Sequence, residues 1–195
     1  MAAIVVPFRG AGGKQRLGSL PDDEREALAL AMLADVLAAC HSVGTTVVVT
    51  PDEEAARVAG EHEAEVLDDP GSGQGAAVAA ALRGVVGAVL VVNADVPCVV
   101  PQDLRSLEAA TPEHGIAYVA ASDGTTNALG LSGPTLFTPL YGPGSAERFR
   151  VHAHTIGADV VPAAIPNLVD DVDSIADLDR LELRVGPRTL AARTR

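Results

Sequence analysis

Basic charge is scarce in this sequence: 14 Lys and Arg stand against 26 Asp and Glu over 195 residues, a net charge of -12. Such a balance repels polyanions, which argues against a sequence-independent nucleic-acid binder and against docking on an anionic membrane surface. Long apolar runs are missing as well. The opening run 1–7 is too short for the apolar part of a signal peptide, and no stretch approaches the roughly 20 apolar residues that span a bilayer. The expectation is a cytoplasmic protein that is not exported. Cysteine is nearly absent. Cys40, within a helical pattern, and Cys98, just after a strand, have neither metal-ligand spacing nor the density of a disulfide scaffold, and both read as buried thiols.

Lysine is the rarest cation. Thirteen of the 14 basic residues are Arg, and the one lysine, Lys14, lies in a glycine-rich loop. The richness in Ala, Gly, Val and Arg suggests a GC-rich genome that favours Arg codons. A lysine that survives this bias marks a place where a planar guanidinium does not replace a compact ammonium. Also lacking are a Gly-Lys-Ser/Thr loop, GxGxxG spacing and any readable Ser/His/Asp arrangement. His152 and His154, two apart on a helix, point to different faces and make a poor metal pair.

What is present reads as one globular domain over 1–186, with 48% hydrophobic residues to build a core, followed by a frayed tail over 187–195. Short apolar runs alternate with helical patterns. This predicts an α/β fold of Rossmann-like type, a mostly parallel sheet with helices on both faces. Strands are predicted at 3–7, 45–50, 64–67 and 88–93, and helices at 22–41, 53–59, 74–86 and 101–110. From residue 111 the pattern shifts to shorter strands at 116–120, 128–131 and 135–137, a segment expected to fold over the carboxyl ends of the strands. A helix at 144–156, a strand at 159–162 and a helix at 174–183 complete the reading.

Three segments carry chemistry. In the loop 8–17 the glycines, Gly10 and Gly13 among them, let backbone amides converge on phosphate oxygens, to which Lys14 and Arg16 add charge-assisted bonds. An ordinary β-α turn is the plain alternative. Asp95, in Asn-Ala-Asp-Val-Pro after the most apolar strand, stands at the rim of the sheet, where a carboxylate suits magnesium bridging phosphates or, more simply, caps a turn. Asp171 and Asp173, two apart in what reads as a strand end, point the same way; with Asp170 beside them they repel unless a cation intervenes. Ser174 and Asp177 make a helix cap. The segments 123–129 and 141–145 read equally as plain turns or as binding loops, the second placing glycine amides and a hydroxyl ahead of a helix.

Together these segments resemble the guanylyltransferases of coenzyme F-420 biosynthesis that act on 2-phospho-L-lactate or phosphoenolpyruvate, within the molybdopterin-guanylyltransferase-like folds of nucleotide-diphospho-sugar transferase type. The resemblance spans nearly the whole chain and rests on Lys14, Arg16 and Leu17, on 93–97, on GTTNALGL at 124–131, on YGPGS at 141–145 and on DDVDS at 170–174. It implies transfer of GMP from GTP to a small phosphorylated acid, phosphoenolpyruvate foremost, with release of pyrophosphate and with Mg2+ as cofactor. It implies Lys14, Arg16 and Asp95 as catalytic groups, and Gly10, Gly13, Lys14, Arg16, Gln74 and Gly75 at the nucleotide. Asp95, Asp171 and Asp173 would hold the metal, and Thr126, Gly142, Gly144 and Ser145 the acceptor. A downstream transferase that takes up the unstable product, and a homodimer, are further partners it leaves open. The sequence departs from the family at Arg9, where lysine is usual, at Gln74-Gly75, which replaces a Leu-Asn pair, and at Phe149, often histidine.

Overall fold

The computed structural model describes residues 2–10 and 20–193. The sheet is built outward from β1 (Ala3–Pro7), whose residues alternate between two cores: Ile4 and Val6 enter one and Val5 the other. A strand buried on both faces needs neighbours on both edges and helices above and below. It pairs in parallel with β2 (Thr46–Val49) and β4 (Val89–Val92), so that Val5 lies opposite Val47 on one side and Val91 on the other. β3 (Glu65–Leu67) adds a parallel edge strand, exposed along its length. Beyond β4, β6 (Thr126–Leu131) runs antiparallel between β4 and β5 (Gly115–Ala120), and β7 (Asp159–Pro162) pairs in parallel with β5. The order is β3-β2-β1-β4-β6-β5-β7.

Helices cover both faces, as the sequence pattern requires. α3 (Gln74–Ala81) and α5 (Ser145–Thr155) pack with Val5, Val89 and Val91. Against Ile4, Val6, Leu90 and Val92 lie α1 (Asp22–His41), α2 (Glu53–Glu61), α4 (Pro101–Ala110), α6 (Pro166–Val169) and α7 (Ile175–Leu181). α1 shows why this sequence is helical here. Asp22, Asp23 and Glu24 stand at its positive end, and Met32, Leu33, Val36, Leu37 and Cys40 recur at helical spacing and are buried. Each such side chain contributes roughly 1.5 to 3 kcal/mol by leaving water. Both cysteines are free and buried.

Several elements differ from the sequence reading for local physical reasons. α3 stops at Ala81 rather than residue 86, because Gly84 turns left-handed at φ 82°. Residues 135–137 form no strand; Pro134, which lacks a backbone donor, opens a 3-10 turn at Pro134–Leu136. The segment after residue 111 does not fold over the sheet as a whole, since β5, β6 and β7 extend it. The stretch before Ser174 is α6 followed by non-ladder backbone rather than a strand end. Residues past Gly186, read as a frayed tail, form α8 (Pro187–Arg193) against α1. There the buried Asp35 accepts from the N–H groups of Arg188 at 3.1 Å and Thr189 at 2.8 Å.

Candidate active site

From β1 the chain steps to β2 and β3 on one side, while β4 lies on the other, so a crevice opens at the carboxyl ends of β1 and β4. An open cleft of about 220 Å³ occupies it, lined among others by Arg9, Gly10, Gln74, Asn93, Asp95 and Asp173. Gly10 has φ 77°, and a side chain there would press on the Asp52 carboxylate at 3.2 Å. Arg9 reaches across to Asp69, its Nε 3.0 Å from Oδ2. Gly13, Lys14 and Arg16, expected at the nucleotide phosphates, lie outside the described residues.

The acidic residues separate into two groups. Asp170 turns to the side, where it accepts from Arg180 Nη1 and Arg184 Nη1, each at 2.6 Å. Burial raises its pKa, but the hydrogen bonds from these two guanidinium groups outweigh that and hold the carboxyl below its ordinary value. Val172 N–H donates to Asp95 O at 2.9 Å, and the Val172 side chain is fully buried. The flanking Asp171 and Asp173 are half-buried. The in-out alternation expected of a strand end thus persists without a ladder.

Asp95, Asp171 and Asp173 each offer a carboxylate oxygen, and these atoms all lie within 4.8 Å of one another. Three negative groups at that separation oppose one another's ionisation. Burial, then Asp95 and Asp173, push the Asp171 carboxyl up to about 6, with a hydrogen bond from Asn127 opposing the rise. An all-carboxylate donor set of this kind fits a hard divalent cation, whose charge relieves the repulsion.

The remaining candidates fall into two neighbourhoods. Gln74 donates from Nε2 to Asn93 Oδ1 at 2.7 Å, and Asn93 Nδ2 donates to Thr126 O at 3.2 Å. Because Thr126 O can only accept, the Asn93 amide orientation is fixed, and with it that of Gln74. Gly75 has a packing role: a Cβ there would fall 2.5 Å from Pro139 Cβ, so its α-carbon abuts the 139–144 loop. Ser145 Oγ donates to Thr126 Oγ1 at 3.0 Å, and both residues are buried, at 0% and 1% exposure. In this conformation the open members of the acceptor set are therefore the backbones of Gly142 and Gly144. Phe149 is core, ringed by Phe137 and Tyr141. His152 Nε2 lies 3.0 Å from Leu136 O.

Reasoning from sequence gave no role of their own to Asn93 and Asn127, which lie in segments it singled out, and passed over Arg148. The signal for Asn93 is an amide ending a wholly apolar strand. Asn127, 2% exposed within β6, is a buried amide that must be satisfied, and its Nδ2 donates to Val169 O at 3.1 Å, tethering the segment that bears Asp171. Arg148 carries no comparable local signal.

A sheet of this order, with an open cleft at the carboxyl ends of β1 and β4 and a carboxylate cluster beside it, together with a match to an NTP transferase domain, makes the protein a nucleotidyltransferase. Solved structures agree on the fold. A nucleotidyl transferase from Methanothermobacter thermautotrophicus superposes with a TM-score of 0.71 at 20% identity over 100% of this chain and 99% of that one. A Desulfovibrio desulfuricans G20 protein named among the nucleotide-diphospho-sugar transferases gives 0.77 at 15% identity over 100% and 95%. The chain belongs to the MobA-like NTP transferase family, whose domain matches residues 16–163. It is 38% identical, over 100% of its length and 96% of the relative's, to a protein of Rhodococcus erythropolis named phosphoenolpyruvate guanylyltransferase. Proteins of the same name from Conexibacter woesei and Sphaerobacter thermophilus are 39% and 34% identical, covering 99% and 92% of this chain and 92% and 91% of their own. Among the described residues no helix is long and apolar enough to cross a membrane.

Proposed function

We propose that this nucleotidyltransferase is a guanylyltransferase that moves GMP from GTP to a small phosphorylated carboxylic acid, phosphoenolpyruvate foremost or 2-phospho-L-lactate, and releases pyrophosphate. The observation that carries the reading is the convergence of Asp95, Asp171 and Asp173 beside an open cleft, in a chain whose relatives are named phosphoenolpyruvate guanylyltransferase. The acceptor's phosphate oxygen attacks the α-phosphorus of GTP, and the bond from that phosphorus to the departing pyrophosphate breaks. An ionised phosphate nucleophile needs no general base, so no histidine is required, and positioning with charge neutralisation supplies the rate.

In this reading Asp95, Asp171 and Asp173 hold Mg2+, and the bound ion supplies charge neutralisation to the phosphates. Asn127 and the Asp170 pairs with Arg180 and Arg184 keep the 169–173 segment in place to present the carboxylates. Gln74, its amide oriented by Asn93, faces the nucleoside, while Lys14 and Arg16 contact the triphosphate. The backbone around Gly142 and Gly144 receives the acid. The protein would act in the cytoplasm within coenzyme F-420 biosynthesis, passing an unstable diphosphate-linked product to a downstream transferase. The test is to incubate it with GTP, Mg2+ and each acid and to identify the product by mass. The expected product carries GMP joined to the acid through a diphosphate. Equal turnover with ATP, or no product from either acid, would defeat the reading.

A further inference from the structure

The 139–145 loop is shaped by a side chain from the helix that follows it. Arg148, in the first turn of α5, folds back over the loop. Its Nε and Nη2 donate to Leu140 O at 3.1 and 2.7 Å, Nη2 also reaches Tyr141 O at 3.2 Å, and Nη1 donates to Pro143 O. A planar guanidinium, with its donors in a fixed fork, can grip three carbonyls at once, whereas a lysine has a single nitrogen to offer.

The consequence lies on the opposite side of the loop. No peptide bond in the described chain is cis, and across a trans peptide the N–H points away from the C=O. Turning the carbonyls of residues 140, 141 and 143 towards Arg148 therefore turns the N–H groups of Tyr141, Gly142 and Gly144 away from it. Gly142 at φ 113° and Gly144 at φ 70° adopt this backbone without a Cβ to oppose it. Among the described residues, none of these three N–H groups donates a hydrogen bond, while the N–H groups of Ser145 and Ala146 are taken by Gly142 O and Gly124 O. Neighbouring N–H groups turned to one side form a concavity for an anion. Tyr141 and Gly142 line a hollow shared with Gln74 and Gly75.

We propose that Arg148 is a positioning residue for the acid acceptor: by holding the carbonyl edge of residues 140–143 it presents the N–H groups of Tyr141, Gly142 and Gly144 to the acceptor's phosphate or carboxylate, without touching the acceptor. The proposal rests on the acceptor assignment made under the proposed function. Its test compares wild type with Arg148→Met and Arg148→Lys by two readouts, steady-state kinetics and the backbone amide resonances of residues 141, 142 and 144.

In wild type, titration with phosphoenolpyruvate is expected to move these three resonances. Both variants should bind the acid about tenfold more weakly or worse, the scale of a lost set of charge-assisted contacts. The KM for the acid should rise to match while that for GTP stays within about twofold, and the melting temperature should hardly change because the side chain is exposed. Rescue by lysine would overturn the proposal, since a simple charge would then suffice. An unchanged KM for the acid in Arg148→Met would overturn it too, as would equal rises in both KM values together with a loss of melting temperature. Wild type that makes no product from any acid would sink the acceptor assignment alone. Titration with inorganic phosphate still reads the cradle in that case: movement of the three amides in wild type and not in Arg148→Met supports it, and no movement in wild type overturns it.

Discussion

Asp171 sits where burial, Asp95 and Asp173 all oppose its ionisation, and its carboxyl is pushed from 3.8 up to about 6. A group whose folded pKa exceeds its unfolded one adds stability that is complete below the lower value and lost as pH rises through the higher. Metal-free protein should therefore lose about 1 to 2 kcal/mol between pH 4 and 6, less than the full shift would give because the carboxyl is partly open to water. Asp170, held low by Arg180 and Arg184, acts in the other direction, its contribution being lost only as pH falls below its ordinary 3.8. Denaturant titrations in chelator should show the loss between pH 4 and 6 in wild type and not in Asp171→Asn, which should also be inactive. The same slope in both would exclude Asp171 as its source. Lys14→Ala, argued from sequence alone, should weaken GTP use by about 1.5 to 3 kcal/mol with the fold intact. Near-wild-type kinetics would take Lys14 out of the site.

At the scale of elements, α3 and the 139–144 loop touch where Gly75 meets Pro139. An added Cβ would fall 2.5 Å from Pro139 Cβ and 2.9 Å from its backbone Cα, so one of the two segments must shift. Gly75→Ala is expected to cost about 1 to 3 kcal/mol by overpacking, measurable in urea, and to lower affinity for both substrates, since it displaces the segments proposed to carry each. A wild-type urea midpoint would show that the contact gives way freely. α8 is held differently. Its first free N–H groups are capped by Asp35 of α1, and Asp35→Ala should raise amide exchange in α8 well above that in α1, at a cost of about 1 to 3 kcal/mol. The cap at α7 could be read from Ser174 and Asp177, three residues apart and bonded as expected, with Ser174 N–H to Asp177 Oδ2 at 2.9 Å. The cap at α8 could not, because donor and acceptor are more than 150 residues apart in the chain.

For the whole molecule, the proposed Mg2+ site would make stability and metal occupancy one equilibrium. Mg2+ at about 100 times its Kd should stabilise the protein by about 2.7 kcal/mol, and the gain should vanish in Asp173→Asn. A midpoint in denaturant that ignores Mg2+ would argue against a site in the resting protein. The sequence by itself determined the sheet from β1 to β4, because strands buried on both faces read as unbroken apolar runs and their crossover helices carry period and caps in local chemistry. It also singled out Asp95, from its place after an apolar run, and Asp171 and Asp173, from their two-residue spacing, as candidate metal ligands, while the folded chain brought the three together. Only the tertiary structure decided that Asp170 leaves the cluster for Arg180 and Arg184, that β6 runs antiparallel between β4 and β5, that Gly75 serves Pro139, and that Arg148 grips the loop before its own helix. Each of these rests on a pairing between segments the chain brings together only on folding, or on the direction in which a backbone carbonyl turns, and neither leaves a periodicity or a composition for the sequence to display.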